Sequence, residues 1–307
     1  MIGGSLIRRV RRAKEHLRER LAQVAAERAY DGPFASPLFI LGLPRSGTTL
    51  IYQYLVHRLH VAYFTNGVGE HPFAPCAETM RQLRKNAPYR SDFESEYGRS
   101  NGAMAPREAG SFWLRFFDIN AYETRIDVPE SLAAELEKSV RCVQALFNGA
   151  PFVNKNVKHL LRMDALAAIF PDAHFLVVER SRAAVAVSVL RGRIKTLGDV
   201  NAWFSARPTN YEALKKLDPV DQIVGQLDAL GQRIEDDLER LDPSRVHRIV
   251  YEQFCEDPDS VLRACVPVFD GVRDKNPAQG RFDIQQYSPE TDTERRLLDR
   301  LGLEGMP

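Results

Sequence analysis

The spacing of apolar and polar residues lays out the elements before any other feature is considered. Between residues 5 and 29, Leu6, Val10, Leu17, Leu21 and Val24 recur at helical spacing, and Arg8, Arg9, Arg11, Arg12, Lys14, Arg18 and Arg20 fill the other faces. The expected arrangement packs the apolar face on the body and leaves the basic faces in solvent. The alternative is a contact with a membrane surface or an anionic polymer. Asp31-Gly32-Pro33 ends the helix. From Pro37 a short apolar run reads as a strand, turns at Gly42 and enters a helix from about Gly47 to Arg58.

Further along, the pattern predicts a short strand at Val61–Phe64 and a helix over residues 130–147. A buried strand end follows at Phe152-Val153, then a helix over 162–170 stopped by Pro171. His-Phe-Leu-Val-Val-Glu at 174–179 is a core strand leading into a helix through Leu190. Asp221–Leu241 reads as a helix, Val246–Tyr251 as a strand and Asp257–Val268 as a helix, before a lightly structured tail. Residues 66–127 are polar, aromatic and interrupted by Pro and Gly. A segment of that length within an α/β domain usually builds a site or a lid. Strands alternating with helices predict an α/β fold: a single domain with a P-loop-like, mostly parallel sheet and helices on both faces.

Composition narrows the classes. The chain has 307 residues, 44% of them hydrophobic, with a net charge of +1. That is ample for a core, and no global field draws it to nucleic acid or membrane. Cys76, Cys142, Cys255 and Cys265 show no CxxC spacing and read as buried or free thiols of a reducing cytoplasm. No run reaches the length of a membrane span, and no signal-peptide core opens the chain. No cluster at metal-ligand spacing is visible.

The chemistry lies at Pro37–Leu50. Gly42-x4-Gly47-Thr48-Thr49 has the spacing of a nucleotide P-loop, in which backbone N–H groups and a helix N-terminus converge on an anion. The lysine of that motif is replaced by Thr48, and the basic group sits earlier, at Arg45. Such a loop suits a phosphate-like group and is poorly built for the terminal phosphates of ATP. A P-loop kinase or NTPase with Phe175–Glu179 as its acidic strand is a rival reading, against which Thr48 in place of the lysine counts, as does Arg180 with Ser188. A non-catalytic nucleotide-binding protein is another.

Four segments in order resemble the sulfotransferases that use 3′-phosphoadenosine 5′-phosphosulfate (PAPS), closest to the carbohydrate and tyrosyl-protein branch and its bacterial relatives. They are Pro44–Thr49 (Pro-Arg-Ser-Gly-Thr-Thr), Asn154-Lys155-Asn156 through His159, Arg180 with Ser188, and Val250-Tyr251-Glu252 with Asp257-Pro258. The Pro of the family's Lys-x-Pro-x-His segment is missing here, as is the acid-Pro pair after Arg180.

The resemblance implies residues 1–32 as a basic helix ahead of a sulfotransferase domain at 33–307. It implies transfer of a sulfuryl group from PAPS to an acceptor hydroxyl without metal, leaving PAP. Arg45, Ser46, Gly47, Thr48, Thr49 and Leu50 would hold the 5′-phosphosulfate. Arg180 and Ser188 would hold the 3′-phosphate, and Tyr251 would lie near adenine. Lys155 would stabilise the leaving group, with Arg45 beside it. Glu70 is the first candidate for the base, with Glu108 and His159 behind it. The aromatic residues Tyr89, Tyr97, Phe112, Trp113, Phe116 and Phe117 suggest a sugar-binding surface. The expected partner is a hydroxyl-bearing acceptor, a glycan, glycolipid or metabolite precursor in the cytoplasm. No nucleic-acid partner is expected, and residues 5–29 are the candidate for peripheral membrane contact.

Overall fold

The computed structural model describes residues 14–24, 33–95, 98, 100–117, 127–284, 287 and 289–302. Tyr97 and the parts of the N-terminal helix expected over 5–13 and 25–29 lie outside the described residues. Four strands form one all-parallel sheet: β1 (Leu38–Gly42), β2 (Val153–Lys155), β3 (His174–Glu179) and β4 (Val246–Val250), in the order β2-β1-β3-β4. Every residue of β1 is buried, as a central parallel strand requires. Phe39 lies edge-on or tilted among Trp113, Phe152, Phe170 and Phe175 at centroid distances of 5.7–6.5 Å, and these rings sit at the heart of the larger core. A second cluster joins Val185, Val189 and Leu190 of helix Arg182–Leu197 to Ile223 and Leu227 of helix Pro219–Leu238, and to Leu297.

Parallel strands need crossovers, and each crossover returns the chain to the same edge of the sheet. The carboxyl ends of all four strands therefore open on one crevice. Helix Thr48–Arg58 follows β1, and its C-terminal carbonyls are satisfied from far along the chain. Lys275 Nζ donates to the Val56 carbonyl, Asn276 Nδ2 to that of His57 (2.6 Å) and the Lys275 amide to that of Arg58 (2.8 Å).

Several expectations are corrected. Val61–Phe64 is not a strand; it contributes one parallel bridge, Ala62 to Phe152. The long segment after it carries helices Asn66–Glu70, Pro75–Lys85 and Gly110–Trp113. Phe112 and Trp113 are fully buried, and Tyr89, Phe116 and Phe117 nearly so. They build core, which removes them as a stacking surface for a sugar. The tail is also more ordered than expected. Helix Asp292–Arg300 starts at a capping box in which the Thr291 hydroxyl accepts from the Glu294 amide and the Glu294 carboxylate accepts from the Thr291 amide. Cys76 and Cys142 are disulfide-bonded, joining helix Pro75–Lys85 to helix Glu130–Leu146, while Cys255 and Cys265 are free and buried. The reading of all four as thiols thus fails for one pair, and with it the cysteine argument for a reducing compartment. No helix among the described residues is long and apolar enough to cross a membrane.

The histidines carry a pH signature. His174 Nδ1 and His247 Nε2 lie 2.9 Å apart on β3 and β4, a hydrogen bond that a second proton on the pair would break. Burial pushes His57, His60, His159, His174 and His247 all below the ordinary imidazole value. A group whose folded-state pKa is depressed binds its proton more readily once unfolded. These five therefore withdraw stability as pH falls through about 6.5. Thermal melts should show the midpoint dropping steadily between about pH 7 and about pH 5, above the range in which carboxylates titrate. A midpoint that stays level across that window would contradict the buried, neutral histidines.

Candidate active site

Each strand delivers one element to the crevice. Past Gly42, the turn takes Arg45 (φ 70°) and Gly47 (φ 90°) into the left-handed region, so that the helix beginning at Thr48 points its N-terminus into the opening. At Gly47 a Cβ would come within 2.1 Å of the Tyr251 ring, so a bare backbone is required there twice over. Lys155 ends β2, Arg180 follows β3 and Tyr251 follows β4. Across the sheet the order is Lys155, loop, Arg180, Tyr251. A cavity of about 380 Å³ runs along this row. It is lined by Arg45, Gly47, Thr48, Thr49, Leu50, Lys155, Arg180 and Tyr251, together with residues from four other segments.

At the β2 end, Lys155 is only 7% exposed and donates to Thr49 Oγ1 at 3.2 Å. It is also ion-paired with Glu108 Oε1. Gly98 (φ 82°) sits against this pair; a Cβ there would meet Glu108 Oε1 at 2.9 Å. At the other end, Arg180 Nη1 donates to the Arg45 carbonyl (3.0 Å) and Nη2 to the Tyr287 hydroxyl (3.1 Å). Its guanidinium stands 4.5 Å from the Tyr251 ring centroid, and its buried Nε has no partner. Arg45 Nε donates to Ser188 Oγ at 3.0 Å. Burial raises the Tyr251 phenol, which stays neutral at physiological pH. A row of cations and N–H donors with an orphaned guanidinium nitrogen at one end and a lysine at the other suits a ligand carrying anionic groups at both ends.

Of the residues expected from sequence, Ser46 and Ser188 are buried behind the cavity wall, and Ser188 holds Arg45 rather than lining the opening. Glu70 is exposed at the end of helix Asn66–Glu70 and does not reach the cavity. His159 is fully buried. Its Nε2 bonds Asn154 Oδ1 at 2.8 Å and its ring lies edge-on to Trp113 at 4.6 Å, with burial holding it neutral. It is a core residue that fastens β2. Glu179, the carboxylate a kinase would turn on a metal, pairs instead with Arg248 and lies outside the cavity lining.

Two walls were not named by residue in the sequence, although the first lies within the segment 66–127 expected to build a site or a lid. On one side stand Phe93, Ser95 and Gly98, steadied by fully buried Gln53, whose Nε2 donates to the Glu94 carbonyl (2.8 Å) and to Ser100 Oγ. On the other stand Phe204 and Ser205. Fully buried Gln226 donates to the carbonyls of Phe204 (2.9 Å) and Ala206 (2.8 Å), straddling Ser205, whose φ is 75°. Arg193, also fully buried, donates to the Val200 carbonyl (3.2 Å) and to Gln222 Oε1 (2.8 Å), and burial pushes its pKa down to about 10. A non-glycine residue in the left-handed region persists only where its surroundings over-determine it. Tyr287 and Asp283 close the cavity from the tail. None of these had a local signal beyond an aromatic or a serine in a loop.

Comparisons with known proteins give the family and the fold. A model of the sulfotransferase family matches residues 37–270. Among solved structures, sulfotransferase STF1 from Mycobacterium tuberculosis H37Rv aligns over 95% of this chain and 80% of its own, with 18% identity and a TM-score of 0.51. Sulfotransferase STF9 from Mycobacterium avium aligns over 90% of this chain and 70% of its own, again with 18% identity and a TM-score of 0.51. At that identity the likeness is one of fold. No curated protein sequence matches significantly. With the family model spanning the loop, all four strands and every residue placed at their ends, the chain belongs to the sulfotransferase family.

Proposed function

We propose that the protein transfers a sulfuryl group from PAPS to an acceptor hydroxyl, and that Glu108 is the base. The observation that carries this reading is the Lys155–Glu108 pair set against Thr49, at the opposite end of one cavity from Arg180. When bound, PAPS would supply the sulfuryl group and leave as PAP. The loop from Arg45 to Leu50 would receive the 5′ end on its N–H groups and the two threonine hydroxyls. Arg180, whose Nε is unpartnered, would receive the 3′-phosphate. Lys155 would hold the charge that develops on the leaving oxygen, and such a pre-organised donor acts most strongly in the transition state. Glu108 would take the acceptor's proton, a role that suits a carboxylate lining the cavity beside the lysine that holds the leaving group.

The acceptor would enter between the Phe93–Gly98 wall and the Phe204–Ser205 wall. Those walls combine two aromatic rings with serine hydroxyls, a mixture suited to a hydroxyl-bearing molecule with an apolar face. A carbohydrate acceptor loses its aromatic platform with the burial of Phe112 and Trp113, and now depends on these walls.

Two experiments test the reading. Glu108→Gln should lower PAPS turnover by about 100- to 10,000-fold, the range of a positioned base, while PAP still binds. Lys155→Ala should cost on the order of 100- to 1000-fold, and Glu70→Gln should leave turnover near that of the unaltered protein. An active Glu108→Gln enzyme would return the search for the base to other residues. For the nucleotide, calorimetry should give PAP at least ~100-fold tighter binding than AMP, because the 3′-phosphate adds two or more charge-assisted bonds. Arg180→Ala should erase that difference, and Gly47→Ala should abolish binding of both. Equal affinities for PAP and AMP in the unaltered protein would remove the 3′-phosphate assignment.

A further inference from the structure

Residues 14–24 form a helix whose orientation reverses the sequence expectation. It is held to the body by its polar face. Glu19 Oε1 lies 2.8 Å from His71 Nδ1, and Gln23, 6% exposed, accepts from the Cys76 amide at 2.8 Å. The His16 ring packs on Phe73 at a centroid distance of 4.3 Å, and the Arg20 guanidinium stands 5.9 Å from the same ring. Positions 16, 19 and 23 share one face at helical spacing. Positions 17, 21 and 24 share the opposite one, and there Leu17 is 60% exposed, Leu21 62% and Val24 45%. Lys14 and Arg18 lie exposed along one edge of this stripe, and Arg20 borders the other.

A helix that only covered a core would turn the leucines inward. Here side-chain bonds to His71 and Cys76 fix the leucines outward, at the cost of keeping apolar surface in water. An apolar stripe bordered by cations is the chemistry of a helix lying in a membrane interface, with the leucines among the acyl chains and the cationic ends reaching the phosphates. Self-association through the same stripe would bring two cationic borders together in a two-fold contact, which like charge opposes. We therefore propose that this helix docks the protein on an anionic lipid surface. The inference stands apart from the assignment of donor and base.

The test uses the full chain and phosphatidylcholine vesicles with and without phosphatidylglycerol, read by co-sedimentation. The protein should bind vesicles containing phosphatidylglycerol and release with added salt. Leu17→Glu/Leu21→Glu should lower partitioning at least about tenfold. Lys14→Ser and Arg18→Ser should each lower it roughly fivefold. The thermal melting midpoint should be unchanged in all of these variants, which establishes that they fold. Failure of the unaltered protein to bind anionic vesicles would overturn the proposal. So would a dimer in solution that Leu17→Glu/Leu21→Glu converts to monomer, since the stripe would then be an interface between copies.

Discussion

The guanidinium of Arg180 is the junction on which the site depends. It leaves the end of β3, bonds the Arg45 carbonyl in the loop after β1, stands on the Tyr251 ring at the start of the helix after β4, and bonds Tyr287 in the tail. One planar cation thus ties together the carboxyl ends of three strands and a segment more than a hundred residues downstream. The Tyr251 ring it stands on also fills the space that a side chain at position 47 would need. The left-handed turn, the tyrosine and the arginine therefore form one packing unit, and a change in any of them moves the other two.

A sulfotransferase has to hold a sulfuryl donor and an acceptor side by side. The lining of the cavity changes character along the sheet. Cations and N–H groups occupy the loop and the β3 end. At the β2 end the single ammonium of Lys155 is balanced by Glu108. The remaining walls present Phe93, Phe204, Ser95 and Ser205, with the adjoining backbone carbonyls held from behind by buried Gln53 and Gln226. Burying Gln53, Gln226 and Arg193 carries a desolvation cost, which their bonds to loop carbonyls offset only in part, since Gln53 Oε1, Gln226 Oε1 and the Arg193 Nε and Nη2 are buried without partners.

The sheet and the loop after β1 were legible in the sequence because both are local. A continuous apolar run such as Leu38–Leu41 or Phe175–Val178 has few fates other than a buried strand, and Gly47 between Ser46 and Thr48 marks its turn by composition alone. The places of Arg180 and Lys155 were legible because Lys155 ends one strand and Arg180 directly follows another, and in a parallel sheet those positions face the crevice. The capping box at Thr291 and Glu294 was equally local and went unread in a tail expected to be loose.

What the tertiary structure alone decided is which side chains share space across long separations. Glu70 and Glu108 are both acids in a polar segment, and nothing in their neighbours distinguishes them. Only the fold brings Glu108 onto Lys155, 47 residues away, and leaves Glu70 in solvent. Cys76 and Cys142 likewise carry no spacing signal, because their pairing depends on two helices lying side by side. For the first helix, periodicity determined that leucines and arginines occupy separate faces, but not which face turns inward. That was settled by bonds from Glu19 and Gln23 to partners 52 and 53 residues away, contacts that no local pattern encodes.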